Sequence, residues 1–370
     1  MTIHSEAGQN EAPSGERVPQ IYRGWYAALT TDELKGKALR AVRIYDREFV
    51  VYRGPSGRAV ALVDRCPHRN VPLSLGKLSK CGELECKYHG WTFAEDGRLT
   101  SVPGRVTPCE KANAISVPTH EDKGLVWIWP SPDAPPSVGP TLPPCHGEPG
   151  YTTVVRRVSA PASLYRTAEN ALDVPHTSVL HRGLFRSGER QRVTVTVRRS
   201  GQSAEAEYSG ERPPRGLLSR VLGAGAKERE LGVAVQHWDR FILPATVQVE
   251  YRLGSSTHFI VTAYCLPRDA EHTELLAVAT FRTPLPGRLV AAVLFPVARF
   301  VFEQDRRILG AQSLALRGSA PEYHSSELDA LGQEIWRLLL RAARREKEGS
   351  PEAAPLGREE TIVQTFELLA

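Results

Sequence analysis

A chain of 370 residues that is 41% apolar can bury two cores but is short for three. Its 47 lysines and arginines against 42 acids leave a net charge of +5 with no long basic run, which argues against a nucleic-acid-binding surface. The six cysteines show no disulfide-framework spacing, and the longest apolar run, Leu289–Phe302, is too short to span a bilayer and contains Pro296 and Arg299.

The opening segment, MTIHSEAGQNEAPSGERVPQ, is polar and lacks a signal-peptide pattern. Residues 1–19 therefore read as a flexible tail, and the protein as soluble, reduced and cytoplasmic. From about Ala41 to Trp129 the pattern is one of short strands. ALRAVRIYDREFVVYR and AVALVDRC are β-rich runs joined by the turn residues GPSG, and GLVWIWP is another apolar strand. Pro130–Cys145 is proline-rich; proline neither donates to a sheet ladder nor continues a helix, so a linker and a domain boundary are expected there.

Beyond it, SLYRTAENALDVPHTSVLH begins as a helix. RVTVTVRR, SAEAEYSG, ATVQVEYRL, HFIVTAYCL and ELLAVATFRT follow, and several alternate apolar and polar residues as half-buried antiparallel strands do. GLLSRVLGAGAKERE reads as an insertion over a sheet edge. Helical patterns run from Gly287 to Leu316 and from Ser326 to Lys347. EKEGSPEAAPLGREE reads as a mobile surface segment, with residues 349–370 as a C-terminal tail. An antiparallel sheet carrying a long helix is the α+β class.

Two groups of residues carry chemistry. In CPHRNVPLSLGKLSKCGELECKYHGW, the pair Cys66/His68 is spaced by one residue and Cys86/His89 by two. Four thiolates would suit zinc or an ordinary iron–sulfur cluster, whereas one Cys and one His on each of two loops also suits a two-iron cluster. There one iron can take both thiolates and the other both neutral imidazoles, which raises the potential. A Cys2His2 zinc site is the plain alternative. Cys81 has no His two residues beyond it and reads as a small buried apolar residue; Cys109, Cys145 and Cys265 read as structural.

The second group lies in ENALDVPHTSVLH. Asp173 and His176 would share a helix face, but His176 and His181 are about 140° apart on an ideal helix. For both to bind one metal the helix must distort or end between them, and Pro175 gives a local reason. A third ligand is available from the helix after Gly287. Leu294, Ala298, Val301, Ile308 and Gln312 form a stripe, with Asp305 filling its gap. A carboxylate facing a core is costly unless paired or metal-bound. Two His and a carboxylate make the facial triad of non-haem Fe(II) oxygenases. Glu303 is a competing carboxylate, Asn170 a candidate support, and Glu169 reads as structural.

CPHR with CKYHGW, seventeen residues separating His68 from Cys86, resembles the Rieske [2Fe–2S] motif of ring-hydroxylating oxygenases. Asn-x2-Asp-x2-His-x4-His resembles the mononuclear-iron motif of their α subunits, and EQDRRILGAQ the segment supplying their aspartate ligand. The resemblance runs from about Tyr22 to Leu316, loosens in the sheet strands, and leans to the monooxygenase and demethylase branch.

It implies an all-β Rieske domain over residues 20–130, a linker over 131–145, and a helix-grip, START-like catalytic domain over 146–348 with a long C-terminal helix. It implies that Cys66 and Cys86 bind one cluster iron and His68 and His89 the other. It further implies that His176, His181 and Asp305 bind mononuclear Fe(II), and that O2 is co-substrate. Asp173 would bridge the two centres, accepting an N–H from a cluster His and another from His176, across subunits of a homotrimer. The implied function is that of a terminal oxygenase that hydroxylates, dealkylates or desaturates a small apolar aromatic or polycyclic substrate.

An electron carrier without oxygenase activity, and a zinc-stabilised binding module, are the competing readings. No Gly-rich dinucleotide fingerprint follows a strand, so a ferredoxin or flavin reductase is expected as donor, docking on Arg65, Arg69, Lys77, Lys80 and Lys87. Pocket residues are expected from the sheet between Val233 and Phe281 and from the helix before Asp305.

Overall fold

The computed structural model describes residues 18–105, 112–181, 192–211, 235–317, 323–348 and 361–369. Residues 1–17 of the expected tail, Cys109, the segment GLLSRVLGAGAKERE, Val233 and residues 349–360 lie outside them.

Eleven short strands form the first half. β1 (Tyr26–Thr30), β11 (Leu125–Ile128) and β10 (Thr119–Asp122) make a three-stranded sheet. β2 (Leu39–Ile44), β3 (Arg47–Arg53), β4 (Ala59–Val63) and β9 (Ser116–Val117) make a four-stranded one. β5 (Lys77–Leu78), β6 (Leu84–Glu85), β7 (Thr92–Phe93) and β8 (Leu99–Ser101) make another. The apolar run Phe49–Tyr52 in β3 is buried on both faces, which is why it does not alternate. Lys123 and Gly124 both take positive φ, the two-residue turn that matches the twist of β10 and β11.

The second half is built on an eight-stranded antiparallel sheet. Its strands are β12 (Thr152–Ala160), β13 (Arg192–Arg199), β14 (Ser203–Ser209), β15 (Val235–Ile242), β16 (Thr246–Leu253), β17 (Thr257–Pro267), β18 (Thr273–Arg282) and β19 (Thr361–Leu369). The order is β12-β18-β17-β16-β15-β14-β13-β19. One face meets the first half through Trp127, Tyr264, Leu276 and Val278. The other, with Val195, Ala206, Phe241 and Ala263, is covered by helices. These are α1 (Leu164–Leu172), α2 (Val174–Leu180), α3 (Gly287–Ala315) and α4 (Ala330–Lys347). The class is α+β, as expected.

Several expectations need correction. Residues 361–369 are not tail but the edge strand β19, paired with β13. Its run TIVQTFELL is β-prone, but its partner is remote in sequence. β12 and β15 were not anticipated. The inward positions of β15 include His237 and Asp239, so its apolar alternation is broken. Their burial is offset locally: His237 Nε2 is 3.0 Å from Asp239, Nδ1 is 3.1 Å from Glu211, and the ring stacks between Tyr208 and Tyr251.

The stripe foreseen on α3 does not face inward. Ala298 is exposed and Ile308 is 51% exposed, whereas the inward row runs Asp305, Leu309, Ser313. The segment before it is apolar all round, with Leu289 and Phe300 exposed, so periodicity singles out no face. Ser313 fixes the row by donating to Pro161 O at 2.6 Å and accepting from Arg166 at 3.0 Å. Cys81, expected buried, is exposed in the turn linking β5 and β6.

Candidate metal centres

The two Cys–His loops are built alike. The Cys66 N–H donates to Val71 O at 2.9 Å and Asn70 N–H to Cys66 O at 2.8 Å. In the second, Cys86 N–H donates to Trp91 O at 2.8 Å and Gly90 N–H to Cys86 O at 3.1 Å. Each loop therefore closes four and five residues after its cysteine. The fourth residue is left-handed in both, Asn70 at φ 59° and Gly90 at φ 69°, a conformation that Asn and Gly tolerate best.

These closures bring the four side chains together. Cys66 and Cys86 are each 2% exposed, and the His68 and His89 rings lie 4.6 Å apart between centroids. Trp91 stacks on His68 at 4.4 Å with 3° between planes, and Tyr88 lies against His89 at 3.8 Å. Burial pushes the Cys66 thiol up, opposed by the backbone N–H groups of His68 and Arg69. His68 Nδ1 is buried and has no hydrogen-bond partner, as suits a nitrogen kept for a metal. Two thiols and two imidazoles, one of each per loop, fit a [2Fe–2S] cluster.

The second group forms where α1 stops. Ser163 caps α1, accepting from Arg166 N, and Asp173 (ψ 97°) breaks the helix. Val174 and Pro175 then start α2, which ends at Leu180, leaving His181 outside it. The expected ending of the helix before His181 is thus met, but Pro175 starts a helix rather than distorting one. Nor does Asp173 share a helical face with His176; it reaches that ring from the break, with Oδ2 3.4 Å from Nδ1. That distance is long for a hydrogen bond, so Asp173 acts there chiefly through charge.

His176 Nε2 faces His181 Nε2 at 3.3 Å. Asp305 Oδ1, from α3, lies 3.5 Å from the first and 3.1 Å from the second. One ligand atom from each of the three residues falls within 4.8 Å of the others. Asp305 Oδ1 is buried and makes no hydrogen bond. Burial works against a charged His176, yet Asp173 and Asp305 push it up to about 9, the mark of a place that attracts positive charge. Two imidazoles and one carboxylate fit a divalent iron with open positions.

Glu303 lies apart from this group. Its carboxylate accepts from Arg306 at 2.7 Å and Arg307 at 3.2 Å, which holds it down at about 2. Asn170 contributes its backbone oxygen to the Asp173 N–H at 3.4 Å. Glu169 packs by Gly332 of α4 and, with Asp173 and Tyr208, lines a cavity of about 20 Å³. Two residues were not foreseen. Trp91 follows the second Cys–His pair and stacks on His68 without being a ligand; Gln304, whose Oε1 is 2.9 Å from His181 Nδ1, carries no signal beyond adjacency to Asp305. Among the described residues no helix is long and apolar enough to cross a membrane.

The chain matches the family described as Rieske [2Fe-2S] domain over residues 24–120, and that described as Vanillate O-demethylase oxygenase C-terminal domain over residues 160–345. Among curated proteins it is similar to chlorophyllide a oxygenase, chloroplastic, of Oryza sativa subsp. japonica, 31% identical over 170 residues, 46% of this chain and 30% of that one. It is similar to protein TIC 55, chloroplastic, of Arabidopsis thaliana, 29% identical over 324 residues, 84% of this chain and 57% of that one. The chain thus spans well under two thirds of the length of these relatives. Among solved structures it resembles the NdmA QL mutant of Pseudomonas putida CBB5 with caffeine, at TM-score 0.74 and 21% identity, covering 93% of this chain and 97% of that one.

Proposed function

This chain belongs to the Rieske non-haem iron oxygenases with a vanillate O-demethylase type C-terminal domain, and we propose from that premise that it is a terminal oxygenase component. It takes electrons from a ferredoxin or flavin reductase and uses O2 to hydroxylate, dealkylate or desaturate an apolar aromatic or polycyclic compound. The observation that carries the reading is the meeting of His176, His181 and Asp305 in a chain that also brings Cys66, His68, Cys86 and His89 together.

When bound, the cluster supplies one electron at a time and the mononuclear iron supplies positions for O2. The residues do the rest. Cys66 and Cys86 would hold one cluster iron, and His68 and His89 the other. His176 on α2, His181 just past its end and Asp305 on α3 would hold the mononuclear ion, so α2 and α3 must keep their spacing. Asp173 holds His176 by charge and keeps 27% of its side chain open. That openness suits a hydrogen bond from a cluster His of a neighbouring copy, in a homotrimer. Val249, Val261 and Ala279, in register on the helix-covered face, offer an apolar wall to a substrate.

The test is a panel of vanillate, caffeine and chlorophyllide a with a surrogate reductase, scoring O2 uptake against product by mass spectrometry. Coupled oxidation of one compound is the expected result. Iron analysis supplies the counter-test: about three irons and two acid-labile sulfides per chain are expected. Two irons would leave an electron carrier, and zinc would remove the reading.

A further inference from the structure

We infer that Gln304 is a positioning residue, which fixes the ring orientation and tautomer of His181; this rests on His176, His181 and Asp305 being the iron ligands. Gln304 Oε1 lies 2.9 Å from His181 Nδ1, while Asp305 Oδ1 lies 3.1 Å from Nε2 of the same ring. Successive residues of an α-helix point about 100° apart, so two neighbours on α3 grip opposite edges of one imidazole.

The chemistry of the contact sets its direction. An amide oxygen carries no hydrogen, so the shared proton belongs to His181 Nδ1. In a neutral ring that leaves the lone pair on Nε2, the atom facing His176 Nε2 and Asp305. Without an acceptor at Nδ1 the proton could sit on either nitrogen and the ring could turn. Its 2% exposure leaves little water to serve as a substitute acceptor.

The two histidines are held in different ways. His176 has the Asp173 carboxylate at Nδ1, whereas His181 has a neutral amide. Gln304 therefore orients its ring without adding a further negative charge to a group that already contains two carboxylates.

The experiment measures Fe(II) affinity of the mononuclear site by competition with a chromogenic chelator, on full-length protein with its cluster intact. Gln304→Leu removes the acceptor, Gln304→Glu retains one, and His181→Ala removes the ring. Expected is a loss of about tenfold or more for Gln304→Leu and a change within about threefold for Gln304→Glu, at parental cluster content and melting temperature. The high-spin signal of the Fe(II)–nitrosyl adduct should broaden in Gln304→Leu and recover in Gln304→Glu. Parental affinity in Gln304→Leu, with iron lost in His181→Ala, would overturn the role of Gln304 alone. Iron retained in His181→Ala would overturn the ligand assignment and this inference with it. Equal losses in both Gln304 variants, tracking a fall in melting temperature, would show a merely structural side chain. Should Gln304→Leu not fold, Gln304→Met, closer in shape, is held to the same criteria.

Discussion

The Asp173 carboxylate stands 3.4 Å from Nδ1 of His176, at the break between α1 and α2. It touches a candidate ligand without being placed to replace it. Asp173→Asn keeps size and polarity but removes the charge. Both iron centres should load at parental levels, while substrate oxidation falls by about ten- to a hundredfold. Single-turnover kinetics check this; normal electron transfer in the variant would refute the bridging role.

Asp305 and Glu303 are two residues apart on α3 but face different surroundings. Asp305→Ala should lower iron from about three to about two per chain, leaving the cluster spectrum intact. Glu303→Ala should leave the iron count unchanged, because its carboxylate serves Arg306 and Arg307. The melting temperature should barely move, since exposed ion pairs contribute little. Metal analysis of both variants separates the assignments.

Around the cluster loops Arg65, Arg69, Lys80 and Lys87 are exposed, while Lys77 lies 3.2 Å from Glu85. An acidic donor should be steered to this surface. Its rate of cluster reduction should drop several-fold between about 20 mM and about 200 mM salt, and about tenfold in the double variant Lys80→Glu/Lys87→Glu. Stopped-flow reduction measures both; a rate indifferent to salt removes the docking surface.

His237 gives a pH dependence of stability. Burial opposes its charge, but Asp239 and Glu211 push it up to about 9. The folded value exceeds the unfolded one, so the stabilisation is complete below about pH 6.5 and is lost as pH rises through about 9. Asp239→Asn should cost about 3 kcal/mol near neutrality, since it breaks a buried pair. The gap in melting temperature should then narrow towards and beyond pH 9. A gap equal at every pH would mean that the ring is uncharged.

The sheet was legible where only apolar residues point inward. Arg192–Arg199 alternates as Val193, Val195 and Val197 against polar neighbours, and forms a strand over its full length. It was illegible in β15, where a stacked, doubly bonded histidine occupies an apolar place. Asp305 was legible as a candidate through the resemblance of EQDRRILGAQ to an aspartate-bearing segment, since the stripe meant to mark it turns outward. Gln304 was not, because a neutral amide on a helix is ordinary until its partner is known. The two Cys–His pairs were legible as candidates because their spacing follows from loop closure, a local matter. The pairing of β19 with β13 was not, because it joins distant parts of the chain.

Gln304 and Asp305 ride on one turn of α3, so the two grips on His181 are mechanically a single jaw. A shift of that rod relative to His181 would change the surroundings of both ring nitrogens at once.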